Sequence, residues 1–226
     1  MHSSSLDSIK RATRRAAVAA LLLAPLLATA QDGNLNRDLL QATRGGHEPS
    51  VRALLDQGAN PNSRNRLGDT PLNIAAKNGH TALGLMLIER GADVNIRNLS
   101  GVSPLMSAAF DGNVALVKAL LARRADPTPM DRVKKTAAVY AAGNGHAEVL
   151  ALLLEAGVQV DARYDNDLTA LMWAAAYGRD DAVRLLIARG ADVRARDNRG
   201  LTAAEMAANG GHPGTADLLR KAGAGS

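Results

Sequence analysis

Every thirty-three residues this chain repeats itself. The hydroxyl residues Thr70, Ser103, Thr136, Thr169 and Thr202 stand 33 apart, and so do Gly46, Gly79, Gly112, Gly145, Gly178 and Gly211. Paired apolar positions keep the same interval, from Leu54-Leu55 through Leu87-Ile88, Leu120-Leu121 and Leu153-Leu154 to Leu186-Ile187. A second glycine series, Gly58, Gly91, Gly157, Gly190 and Gly223, misses only at Arg124. Several residue types locked to one period confine the chain to a repeat architecture, in which the core forms between neighbouring units.

The unit reads as two helices. In GDTPLNIAAKNGH, Thr70 takes the N-cap position and Pro71 the first helical turn, where its missing N–H is not needed. Leu72, Ala75 and Ala76 give this helix a narrow face, and Gly79 ends it. In TALGLMLIER, Leu83, Met86 and Leu87 fall on one helical stripe before Gly91. The stretch ADVNIRN then leads through an extended, turn-rich connection to the next cap. A core of Ala, Leu and Val with only 2% aromatic residues suits thin, closely packed helices.

This unit resembles the ankyrin repeat, a β-turn plus two helices with a T-P-L-H-x-A signature. Thr70-Pro71-Leu72 matches it most closely and Ser103-Pro104-Leu105 nearly so, whereas Thr136-Ala137-Ala138, Thr169-Ala170-Leu171 and Thr202-Ala203-Ala204 lack the proline. The signature histidine is replaced by Asn73, Met106, Val139, Met172 and Glu205, so the cap hydrogen bonding is altered there. The resemblance runs from residue 34 to about 224. It implies an all-α repeat solenoid: a stack of about six helix-turn-helix units with β-turn tips, near 34–66, 67–99, 100–132, 133–165, 166–198 and 199–226. The first unit has Arg37 at the Thr position and the last is shortened, as solenoid ends require.

Residues 1–30 are unlike the rest. Lys10, Arg11, Arg14 and Arg15 precede an uncharged block from Ala16 to Ala30, interrupted by Pro25 and closed by Ala28-Thr29-Ala30. That order describes a secretory signal peptide cleaved before Gln31, and the block is shorter than the roughly 20 residues a membrane span needs. The expected location is the periplasm or the exterior of a bacterial cell, with mitochondrial targeting as the rival reading because serines accompany the arginines. The whole chain carries +5, but the leader holds four basic residues and one acid. The remainder carries +2, weak support for nucleic-acid binding. No stable membrane span is expected after leader removal, and the expected state is a monomer.

Catalytic chemistry finds little footing. There is no cysteine, which removes disulfides, thiolate nucleophiles and cysteine-ligated metal. His47, His80, His146 and His212 each follow a helix-ending glycine, a place taken by Asn113 and Arg179 in the other units. Stacked helices lie about 8–10 Å apart, too far for such histidines to share a metal bound at about 2 Å. They read as polar ties between loops. No phosphate-binding loop, nucleophile elbow or H-E-x-x-H helix is present, so no enzyme, cofactor or metal is expected.

The ankyrin resemblance implies a protein partner bound by the turn tips and the exposed side of the first helices. At the tips stand Arg64, Arg97, Met130, Arg163 and Arg196, with Arg66, Arg132 and Arg199 beside them and Lys135, Asp69 and Asp165 alongside. These arginines either pair with neighbouring Asp131, Asp165 and Asp197 or face an acidic partner. The first-helix candidates are Lys77, Asn78, Phe110, Asp111, Asn144 and Tyr177, with Trp173 and Tyr140 one register inward and expected to pack between units. The stretch RRADPTPMDRVKK departs most from its own repeat, and Phe110, Arg132 and Lys135 form its candidate patch. Binding a macromolecule in the cell envelope is the expected function. The alternatives are an exported effector or immunity-like inhibitor of one enzyme, and an envelope enzyme using carboxylates of the concave face.

Overall fold

The computed structural model describes residues 34–224; the leader and its cleavage point lie outside the described residues. Helix α1 spans residues 34–44. It is followed by α2 (Glu48–Asp56), α3 (Pro71–Lys77), α4 (Thr81–Glu89), α5 (Pro104–Phe110) and α6 (Val114–Ala122). Then come α7 (Ala137–Asn144), α8 (Ala147–Glu155), α9 (Ala170–Ala176), α10 (Asp180–Ala188), α11 (Ala203–Asn209) and α12 (Pro213–Ala224), with a 3₁₀ turn at Asp165–Asp167. No strand occurs among the described residues beyond an isolated bridge between Arg196 and Thr202. The described residues form an all-α repeat solenoid of six helix pairs.

Local chemistry sets each first helix. The hydroxyls of Thr70, Ser103, Thr136, Thr169 and Thr202 accept the backbone N–H three residues on. The residue that replaces the signature histidine then decides the quality of the cap. Asn73 and Glu205 accept from the cap's own N–H at 2.9 and 2.7 Å, whereas Met106 and Met172 offer only a sulfur at 3.4 and 3.5 Å. Asn73 adds a bond from its amide to the Ile96 carbonyl of the next unit. It is a cap and an inter-unit tie at once.

The helices stack in two rows, α3, α5, α7, α9 and α11 in one and α4, α6, α8, α10 and α12 in the other, with substantial contacts within a unit or between neighbours. Leu72, Leu105 and Leu171 from the first row and Leu87, Leu120, Leu153 and Leu186 from the second are fully buried in one continuous apolar core. Gly84 brings α4 close to α6: a Cβ there would lie 2.9 Å from Leu116. The first-row helices are left with one open side, and the hairpin tips between units continue it.

Candidate protein-binding surface

Each tip closes on itself. The N–H of Asn65, Asn98, Asp131, Tyr164 and Asp197 bonds the carbonyl four residues on. Where that residue is Asn or Asp, its side-chain oxygen also accepts the N–H groups two and four residues on, as at Asn65, Asn98, Asp131 and Asp197. Tyr164 cannot do this. Its tip instead runs through left-handed backbone at Asn166 and Asp167.

These bonds decide which tip charges face outward. Asp69 is buried, correcting its expected place on the surface, because its two carboxylate oxygens accept the Asn98 and Asn65 side-chain amides. Asp131 is buried too, holding turn amides with one oxygen and the Tyr140 hydroxyl with the other. Burial and that carboxylate push the Tyr140 phenol far above its ordinary range. Of the expected arginine–aspartate pairs, Arg199 with Asp197 at 2.8 Å is present. Arg64 and Arg163 donate instead to the carbonyls of Arg97 and Arg196, one unit further along. Arg196 approaches Glu205 at 3.7 Å. Arg66, Arg97, Arg132 and Asp165 are exposed.

On the open side of the first helices, four of the five aromatic residues of the chain form one ribbon. Phe110, half-exposed at 52%, meets Tyr140 edge-on with ring centres 5.6 Å apart. Trp173 and Tyr177 stack at 6.1 Å. Lys135 joins the two pairs, its Nζ 4.6 Å from the Trp173 ring centre and 5.6 Å from that of Tyr140, a cation–π contact on both sides. Gly143 lies beneath the second pair, where a Cβ would make ordinary contacts with Tyr177 and Trp173 at 3.7 to 3.9 Å. Lys77, Asp111 and Phe110 line a shallow pocket with Tyr140. The Asp111 carboxyl is raised by burial and drawn back by His146. Asn144 donates to the Phe110 carbonyl at 2.8 Å, and Asn78 holds the Arg44 carbonyl likewise.

Two of the four histidines make the tie their register suggests. His146 Nε2 lies 2.9 Å from the Phe110 carbonyl and His80 Nε2 3.4 Å from that of Arg44, while Arg179 at the same register donates to the Gly143 carbonyl at 3.0 Å. Each ties the end of one first-row helix to the next unit. No group of three or more His, Asp or Glu that could hold a metal ion occurs among the described residues.

The family described as "Ankyrin repeats (3 copies)" matches this chain over residues 15–98, 39–131, 105–197 and 140–225. The chain belongs to the ankyrin-repeat family. It is also 52% identical over 58 residues to a transient receptor potential cation channel subfamily A member 1 homolog of Caenorhabditis elegans, covering 26% of this chain and 5% of that protein. The chain thus spans a twentieth of that relative's length, and among its own described residues no helix is long and apolar enough to cross a membrane.

Within the ankyrin stack the expected surface residues divide. Phe110, Asp111, Lys77, Tyr177 and Lys135 come together on the first-row face through the aromatic ribbon. Arg97 and Arg132 share a different groove between tips, with Arg64, Leu99 and Met130. Arg66 lies in an adjoining groove that also includes Arg64. Arg163, Asp165 and Arg196 stand on the last two tips. Sequence reasoning missed the exposed aliphatic residues Leu67, Leu99 and Val133. Comparing tip positions by register, where later units carry Asp165, Asn166, Asn198 and Arg199, would have found them.

Proposed function

We propose that this ankyrin stack is a non-enzymatic protein-binding module, exported through its leader and working as a monomer in the cell envelope. The observation that carries the reading is the ribbon Phe110–Tyr140–Lys135–Trp173–Tyr177. In a protein this poor in aromatic residues, four of them share the side of the solenoid that no helix among the described residues covers. Aromatic residues beside cations are typical anchors of protein interfaces. The basic start and short apolar block of residues 1–30 support export from the cytoplasm.

Cross-linking the exported protein in an envelope fraction, followed by mass spectrometry, tests the reading. The recovered chain should begin at Gln31. Replacing Phe110, Arg132 and Lys135 with Ala should leave the thermal midpoint nearly unchanged and weaken partner capture at least about tenfold, equal to 1.4 kcal/mol. Equal capture by the triple variant, or retention of Met1, would sink it.

A further inference from the structure

The tips of the stack are not alike, and the difference divides the molecule. The first three tips carry six cations: Arg64, Arg66, Arg97, Arg132, Lys134 and Lys135. Their two acids, Asp69 and Asp131, are only 5% and 6% exposed and hold internal hydrogen bonds with both oxygens. Asp126 lies close enough to Arg97 to feel its charge, and it already accepts from Thr128. On the last two tips the cations Arg163, Arg196 and Arg199 are matched by Asp165, Asp167, Asp197 and Glu205. The first three tips also present Leu67, Leu99 and Val133 at 58–65% exposure, with Met130 at 40%. One half of the rim is basic and apolar. The other is mixed in charge and polar.

The basic half is also continuous. Leu99 N–H bonds the Leu67 carbonyl and Arg132 N–H the Ser100 carbonyl, so three tips form a single ridge. Arg64, Arg97, Leu99, Met130 and Arg132 line one open groove along it, and Arg64 is shared with the next groove, which holds Arg66. Arg64 is fixed by its bond to the Arg97 carbonyl, so its guanidinium is pre-organised. We propose that this groove binds an extended, carboxylate-bearing protein segment lying along the stack axis, its acids meeting Arg64, Arg97 and Arg132 and its apolar side chains meeting Leu99 and Met130. The claim deepens the protein-binding reading and rests on it.

Geometry sets the spacing of the segment. Neighbouring units repeat at about 8–10 Å, and a chain in the polyproline II form advances about 3.1 Å per residue with three residues per turn, so that residues i, i+3 and i+6 share one face. Every third residue of the segment therefore meets a new tip, which calls for acids at i, i+3 and i+6. Cations in a line at successive tips favour carboxylates presented in a line. Other occupants fit less well. The leader of this chain is itself basic and would be repelled, and a second copy would bring the same cations.

The test uses the exported full chain and fluorescent peptides read by anisotropy. The probe is a ten-residue peptide with Glu at positions 1, 4, 7 and 10 and Leu and Ser between. The controls are the same composition with the four Glu consecutive and the same spacing with Lys for Glu. The spaced acidic peptide should bind at least about tenfold more tightly than either control and weaken as salt rises. Arg97→Glu with Arg132→Glu should lower its affinity at least about tenfold, with the circular dichroism spectrum unchanged. Arg163→Glu with Arg196→Glu should leave it within about twofold. Equal binding of spaced and consecutive Glu, equal loss in the two double variants, or no binding overturns the proposal. So does a chain that sediments with phosphatidylglycerol vesicles yet ignores the peptide, or a doubled mass in light scattering that disappears in the Arg97/Arg132 variant. If the peptide fails while cross-linking still captures a partner through Phe110 and Lys135, the protein-binding reading stands and the groove assignment falls.

Discussion

At the scale of single residues, the repeat sequence records backbone geometry well and its exceptions are the informative part. Glycine recurs where φ is positive, and at Gly112 it does a second job: a Cβ there would lie 2.4 Å from the His146 ring. Gly112→Ala should therefore destabilise more than Gly58→Ala, which has the same handedness but open space around it. Arg124 and Lys134 occupy left-handed backbone, φ 62° and 61°, where other units have glycine. A side chain there costs about 1–2 kcal/mol, partly offset by the greater freedom of glycine in the unfolded chain. Arg124→Gly and Lys134→Gly should each raise stability by about 0.5–1 kcal/mol, measured by chemical denaturation. A loss would mean that the side chains make compensating contacts. The legible part here was the departure of RRADPTPMDRVKK from its own repeat. Its charge exposure was not legible, because burial of Asp69 and Asp131 depends on bonds to Asn98 and Tyr140, whose proximity no single unit reveals. Acid stability follows from the same turns. Backbone and hydroxyl donors of Thr202 lower the Glu205 carboxyl, and the Thr128 hydroxyl and N–H lower that of Asp126. Burial raises the Asp197 carboxyl, but bonds from Leu201 and Arg199 outweigh it. A group lowered in the folded state stabilises above its unfolded value and loses that contribution as pH falls through the folded one. Thermal midpoints should hold from pH 7 to about pH 5 and fall below about pH 4, and the Glu205→Gln variant should show a shallower fall.

At the scale of the element, helix starts were readable because a cap needs only local chemistry. Thr169 bonds the Met172 N–H at 3.3 Å, and Thr169→Ala should cost about 1 kcal/mol. The stripe Leu83, Met86 and Leu87 was also readable, and all three side chains are buried. Less readable was which helix meets which, since stacking depends on small residues such as Gly84 against Leu116. Leu120 is fully buried in α6. Truncation to Ala should cost about 2–5 kcal/mol by the loss of packed volume. A cost below 1 kcal/mol, read by urea unfolding, would mean that α6 can collapse onto its neighbours.

At the scale of the whole molecule, the stack has a seam. From the first tip to the second, and from the second to the third, two kinds of bond run between units. Asp93 and Asp126 N–H groups bond the side-chain oxygens of Asn62 and Asn95, and the Leu99 and Arg132 N–H groups bond the carbonyls of Leu67 and Ser100. Between the last two tips both kinds return, as Asp192 N–H to Asp161 and Asn198 N–H to the Asn166 carbonyl. Between the third and fourth tips neither occurs among the described residues. The reason is in the residues: Thr128 stands where Asn62, Asn95 and Asp161 stand, and its hydroxyl is turned to Asp126. Gln159 replaces the Asp whose carboxylate accepts the N–H two residues on in the other units, and its side-chain amide donates to the Gly157 carbonyl. The helices still pack across this point, tied by His146 and Asn144 to Phe110 and by Lys118 to Glu148. The stack should therefore open first at its tips between Asp131 and Tyr164, since regions with fewer satisfied backbone bonds open at lower free energy. Hydrogen exchange should find the amides of 159–168 less protected than those of 93–102 or 192–201. Thr128→Asn with Gln159→Asp rebuilds the missing acceptor and donor geometry. One restored bond is worth about 0.5–1.5 kcal/mol, so the double variant should slow exchange at 159–168 about two- to tenfold and raise the midpoint by a few degrees. Uniform protection along the parent stack would show that helix packing, rather than the ladder of turn bonds, holds the units together.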